Sequence, residues 1–129
     1  MTVPSTFPNR ILFRRSRARD EIAKLAGQVN ALTLFMECPN GGKDEILNCA
    51  ANTLGFPKEY RQYLNWDSFE ESMMDLSWIE ERAIVLIIGN SKAQWAEHYE
   101  DMGTFSEICF AAISKQYSDG RSMDIVFLD

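Results

Sequence analysis

Ala83 to Ile88 is an unbroken run of six apolar, mostly branched residues set between Arg82 and Gly89, and it restricts the fold more than any other stretch. A segment that short with no polar side suits a strand covered on both faces, the position of a central strand in a parallel sheet. Two further strands are expected. Ala31 to Glu37 is apolar apart from Thr33 and the terminal Glu37 and runs into the turn-forming Pro39, Asn40, Gly41 and Gly42, and Asp124 to Leu128 closes the chain with Ile125, Val126 and Phe127.

Helical spacing fills the intervals. Ile46, Leu47, Ala50 and Leu54 share one face of Asp44 to Leu54, which Gly55 and Pro57 end. Between Gly103 and Tyr117 the apolar set Phe105, Ile108, Cys109, Ala112 and Ile113 recurs at helical spacing until Asp119 and Gly120 break it. Residues 89–102, with Trp95, Glu97, His98, Glu100 and Asp101, show no clean period and read as a loop with at most a helical turn. With a helix over Asn65 to Trp78, the order is strand, helix, helix, strand, helix, strand. Strands parted by helices need crossovers, so the expected class is α/β: a small, three-stranded, mostly parallel sheet covered by helices.

Charge divides the chain. Residues 1–30 carry six basic residues (Arg10, Arg14, Arg15, Arg17, Arg19, Lys24) against Asp20 and Glu21, whereas residues 31–129 carry seven basic against seventeen acidic. Residues 1–30, with Pro4 and Pro8 and a short apolar patch from Ile11 to Phe13, read as an arginine-rich extension, a solvated arm or one lying on the acidic body, with nucleic-acid binding by the arginine cluster as the alternative, and 31–129 as the domain. A net charge of −6 argues against direct nucleic-acid binding as the main activity, which needs cations to displace phosphate counterions. It favours a basic partner.

Other classes lack their residues. Cys38, Cys49 and Cys109 are an odd set without C-x-x-C spacing, so neither a disulfide framework nor a zinc site is expected, and they read as reduced core residues. There is one histidine, His98, and no G-x-S-x-G or phosphate-loop motif; Gly41, Gly42 and Lys43 resemble the latter only superficially. No enzymatic activity, cofactor or metal is expected. Nor does an apolar run approach the roughly 18 residues that cross a bilayer, so a soluble, cytoplasmic protein, monomeric when free, is the expectation.

The functional signal lies in Asn65 to Trp78. At 100° per residue, Trp66, Phe69, Met73 and Leu76 gather on one side, and Asp67, Glu71 and Asp75, at i, i+4 and i+8, on the opposite one. A solvated helix face is usually mixed in sign, since like charges four apart repel by roughly 0.2–0.5 kcal/mol. This one has no lysine or arginine, and Asp75 sits where the helix dipole disfavours negative charge. A capping box formed by Asp67 and Glu70 explains two of the acids but not the row. A helix that breaks local rules is what a functional surface predicts, and periodicity alone leaves a purely solvated acidic face as the alternative, since the helix rule is worth only tenths of a kcal/mol.

Phe56 and Pro57, then Tyr60 and Tyr63, then Asn65, Trp66 and Asp67, and finally Asp75, Leu76 and Trp78 resemble the signature of barstar-type ribonuclease inhibitors. The resemblance spans roughly residues 31–129. It implies a protein without catalytic activity whose second helix and preceding loop enter a nuclease active site, where carboxylates take the places of RNA phosphates. The implied partner is a basic secreted ribonuclease or a nuclease toxin, which makes the chain an inhibitor or immunity protein. Residue by residue, Asp67 matches the first family carboxylate, and Glu71 stands where the central anchor is an aspartate, one methylene shorter. Glu70 is its neighbour, and the loop glycine of the family is absent around Arg61 and Gln62. Tyr60 and Tyr63 supply the aromatic loop, unless one of them is core; Trp78 belongs to the core, and Met73 and Met74 read as packing. The partner-binding set is thus Tyr60, Tyr63, Asp67, Glu70, Glu71 and Asp75. The competing expectation is the same scaffold serving a partner that is not a nuclease.

Overall fold

A computed structural model describes residues 10–38 and 40–129; Pro4, Pro8 and Pro39 fall outside them. The chain runs β1 (Ile11–Arg14), α1 (Arg19–Gln28), β2 (Leu32–Glu37), α2 (Lys43–Thr53), α3 (Lys58–Arg61), α4 (Trp66–Asp75), β3 (Ala83–Gly89), α5 (Ser91–Glu97), α6 (Tyr99–Ser118) and β4 (Ser122–Leu128). The sheet order is β1-β4-β3-β2, and every pairing is parallel. The α/β class expected from sequence is the class observed, with four strands in place of three.

β3 shows why its sequence is apolar throughout. Ile84, Leu86 and Ile88 point into the larger core with α2, α4 and α6. Val85 and Ile87 point the other way, where Ile22 and Ala26 of α1 cover them together with Val126 and Leu128 of β4. A strand with period-two side chains and a helical layer on each face has no position left for a polar residue.

That second layer corrects the reading of residues 1–30. Among the described residues of that stretch, β1 is the fourth strand, in register Ile11↔Ile125 to Arg14↔Leu128, and the Arg10 N–H donates to Asp124 Oδ1 at 2.9 Å. Ile22, Ala26 and their neighbours are built into the body and not into a solvated arm. Arg19 pairs with Glu37 at 2.9 Å and lies over the Phe35 ring, 4.6 Å from its centroid.

The loop expected over 89–102 is also corrected. Ser91–Glu97 is a helix, and the last helix begins at Tyr99. Its buried positions are polar, which hides the period: Ser91 Oγ donates to the Leu128 carbonyl at 2.7 Å, and the Gln94 side-chain amide donates to the Gly41 carbonyl. Gln94 thereby holds the turn ahead of α2. Of the cysteines, only Cys109 is fully buried, while Cys38 and Cys49 are half-buried and all three are free. Burial, with the charges around Cys49 and Glu37, pushes the Cys38 thiol up to about 12.

Candidate functional site: an acidic helix clamped at both ends

α4 is set on the core by the stripe the sequence predicts. Phe69 and Met73 are buried, and the Phe69 ring touches Phe56, Trp66 and Phe105 at centroid distances of 5.9, 6.2 and 5.5 Å. The opposite side carries Asp67, Glu71 and Asp75, all exposed. With a rise of about 1.5 Å per residue, successive carboxylates stand about 6 Å apart along the axis. Glu70, also exposed, flanks the row. Two ion pairs occur among the described residues, Arg19–Glu37 and Lys115–Asp119, and neither involves α4. The carboxylates are exposed and form no ion pair with an arginine or lysine among the described residues.

The N-terminal cap differs from the expected one. Asn65 Oδ1 accepts from the Ser68 N–H at 2.8 Å, and Ser68 Oγ accepts from the Asn65 N–H at 3.0 Å, so the reciprocal box joins Asn65 to Ser68 and leaves Asp67 and Glu70 out of it. The Ser68 hydroxyl also donates to the Tyr63 carbonyl at 2.9 Å, which ties the aromatic loop to the first turn. Replacing Asn65 by alanine removes this cap and is expected to cost about 0.5–2 kcal/mol of stability in a denaturant titration, whereas glycine there costs only a few tenths.

The C-terminal end is fixed by groups that the sequence does not advertise. Buried Gln116 of α6 donates its side-chain amide to the carbonyls of Met73 and Met74, each at 3.1 Å. Arg121 donates to the Leu76 carbonyl at 2.8 Å and to that of Ile79. Gln116 satisfies carbonyls that the last turn of a helix leaves without partners, whereas Arg121 braces the cap residue and the turn after it, where its guanidinium also offsets the negative end of the helix dipole. Leu76 itself adopts a left-handed conformation, φ 46°, held by complete burial of its side chain. No spacing rule in a single sequence points to Gln116 or Arg121.

The aromatic loop resolves into two roles. Tyr60 is half-buried, its ring 5.6 Å from that of Trp78, and its hydroxyl donates to Asp75 Oδ2 at 3.0 Å. This bond to Asp75, followed by the charge of Asp75 and smaller contributions including that of Glu71, raises the Tyr60 pKa. Tyr60, Glu71 and Asp75 therefore share one electrostatic neighbourhood. Tyr63 is 77% exposed; among the described residues no ring contact or side-chain hydrogen bond ties its ring to the acids. Trp78 is half-buried and packs against the core as expected, its ring edge-on to that of Phe56 at 5.6 Å, with its indole N–H donating to the Leu54 carbonyl at 2.9 Å.

Arg61, where the resemblance lacks a glycine, has a structural task. Its guanidinium donates to the carbonyls of Phe56 and Ala51, at 2.7 and 3.1 Å, and to Asn52 Oδ1. It closes the end of α2 and fixes the path of the loop toward α4. No group of three or more side chains suited to a metal ion occurs among the described residues, nor does a helix long and apolar enough to cross a membrane.

A parallel sheet backing one rigid, acid-faced helix defines a small α/β domain whose most distinctive chemistry lies on an exposed surface. The family model for Barstar (barnase inhibitor) matches residues 40–128, more than two thirds of the sequence, and the chain belongs to that family. The match takes in the loop, α4 and its two clamps, and begins after β2. Among curated proteins, none matches the chain.

Proposed function

We propose that this chain inhibits a basic ribonuclease or nuclease toxin by seating α4 and the aromatic loop in the enzyme's active-site cleft. The observation that carries this reading is the row Asp67, Glu71 and Asp75, exposed on one side of a helix anchored by Phe69 and Met73, in a chain whose family is described as that of the barnase inhibitor. Inhibition by occupancy needs no group transfer, and the residues are suited to it. Carboxylates offer acceptors to the arginines and lysines that hold RNA phosphates. Tyr63 adds a stiff apolar ring with a polar tip, and Tyr60 holds Asp75 in place.

Rigidity matters because ordering flexible side chains and loops on binding costs affinity. The caps at both ends of α4 and the Arg61 and Ser68 anchors of the loop lower that cost before the partner arrives. The direct test is titration of the chain into a panel of basic ribonucleases, barnase among them, with RNA cleavage as readout. Stoichiometric loss of cleavage supports the reading, and a panel untouched by excess chain counts against it.

Association offers a second test. A negative face meeting a cationic cleft is steered by long-range attraction, and the Debye length shrinks to about 10 Å at 0.1 M salt. The association rate constant in stopped flow is therefore expected to fall at least about tenfold between low and physiological ionic strength. A rate indifferent to salt assigns the contact to an uncharged surface.

A further inference from the structure

We propose that the outer edge of β1 is a second docking site, one that accepts an extended acidic segment of another protein as a fifth strand. Among the described residues β1 pairs with β4 alone. The Arg10 and Arg14 carbonyls accept from the N–H groups of Ile125 and Asp129, both at 3.1 Å, so strand alternation turns the backbone groups of Ile11 and Phe13 outward. The Arg14 guanidinium donates to the Phe13 carbonyl at 2.8 Å, a bond that an incoming backbone N–H can replace.

Each face of this edge carries a hollow. On the α6 side a space of about 320 Å³ lies among Ile11, Phe13 and Phe110, where Phe13 and Phe110 are 58% and 64% exposed. On the α1 side a space of about 290 Å³ has Leu12, Ile22 and Leu25 as its floor and Arg10 and Arg14 at its rim. A strand docking at a sheet edge is held by main-chain hydrogen bonds and selected by pockets that take its alternate side chains. The first hollow suits apolar side chains, and the second suits carboxylates on aliphatic stems.

Charge chooses the occupant. Arg14, Arg15 and Arg17 are exposed and form no ion pair among the described residues, while Glu21 and Glu107 are the acids bordering the hollows. A second copy pairing β1 against β1 about a two-fold axis sets arginine against arginine, the kind of arrangement that guards an edge against self-association. An acidic strand meets the same arginines favourably.

The test uses the full chain and two capped eight-residue peptides, one alternating leucine with glutamate and the other leucine with lysine. Binding is read from the fluorescence of the tryptophans, since Trp95 lies 5.9 Å from Phe13, and from hydrogen exchange at the Ile11 and Phe13 amides. The glutamate peptide is expected to bind and to slow exchange at those amides, with the lysine peptide weaker by about tenfold or more. Phe110→Ser and Arg14→Glu are each expected to weaken the glutamate peptide by about tenfold while leaving the melting midpoint and nuclease inhibition unchanged. Equal binding of both peptides, no binding, indifference to Phe110→Ser, or sedimentation showing that the edge instead joins two copies would each overturn the proposal.

Discussion

Changing Glu71 to alanine is expected to weaken the complex with the target nuclease by about 2–5 kcal/mol, roughly thirty-fold to several-thousand-fold in Kd. The range is carried over from charged interfaces of this kind, the barnase–barstar pair being one of them. Glu71 is central in the row, with Asp67 one turn before it and Asp75 one turn after, so in the proposed complex it is the carboxylate expected to be most completely desolvated. Its loss leaves a cationic group of the enzyme buried without a partner, and that penalty appears in the dissociation rate. Asp67→Ala is expected to act in the same direction. Asp75→Ala should cost less, because Asp75 already accepts the Tyr60 hydroxyl. The free protein should scarcely register Glu71→Ala: the side chain is exposed and its removal relieves like-charge repulsion, so the unfolding free energy should stay within about 0.5 kcal/mol.

Phe69→Ala is expected to do the reverse. The side chain is wholly buried and links Phe56 of the loop, Trp66 of its own helix and Phe105 of α6 through ring contacts. Truncation removes the buried ring and leaves a cavity between three rings that cannot all collapse into it, at a cost of about 3–5 kcal/mol. In a small domain of ordinary stability, about 5–15 kcal/mol in total, that is a severe loss, visible as a lower denaturation midpoint with little change in slope. Together the two variants separate the sides of α4: one side supports the fold, and the other is the one proposed to meet the partner. Equal stability loss from both would mean that Glu71 has a structural role.

The two sides of α4 were legible because a helix sorts side chains by angle, and the apolar and acidic residues fall about half a turn apart. β3 was legible for a related reason, since burial on both faces removes every polar residue from the strand. The rest of the architecture gave weaker signals. β1 has four residues, two of them apolar and half-buried, one an exposed phenylalanine and one an arginine, a pattern set by its place at the sheet edge rather than by its pairing. α1 does space Ile22 and Ala26 on one face, yet six basic residues around them give the segment the composition of an arm. α5 escaped because its inward positions are Ser91 and Gln94, whose partners are backbone groups distant in sequence.

The site itself divides in the same way. Its acids could be named from spacing, but the cap could not be apportioned: Asp67 and Glu70 satisfy the spacing of a capping box, whereas the structure uses Asn65 and Ser68. Gln116 and Arg121 act across long sequence separations on carbonyls of α4 and the turn after it. Only the fold reveals that the end of the acidic helix is held by the end of α6.

The most direct test of the account is competition at the enzyme's active site. A basic ribonuclease inhibited by the chain is mixed with a short RNA in which a deoxy-substituted cleavage position prevents turnover, and the chain's affinity is measured as the RNA concentration rises. If the carboxylates of α4 take the places of the phosphates, the apparent Kd climbs linearly with the free RNA concentration, without a plateau, and no ternary complex forms. A complex holding enzyme, RNA and chain at once, with the chain's affinity unchanged, would contradict it.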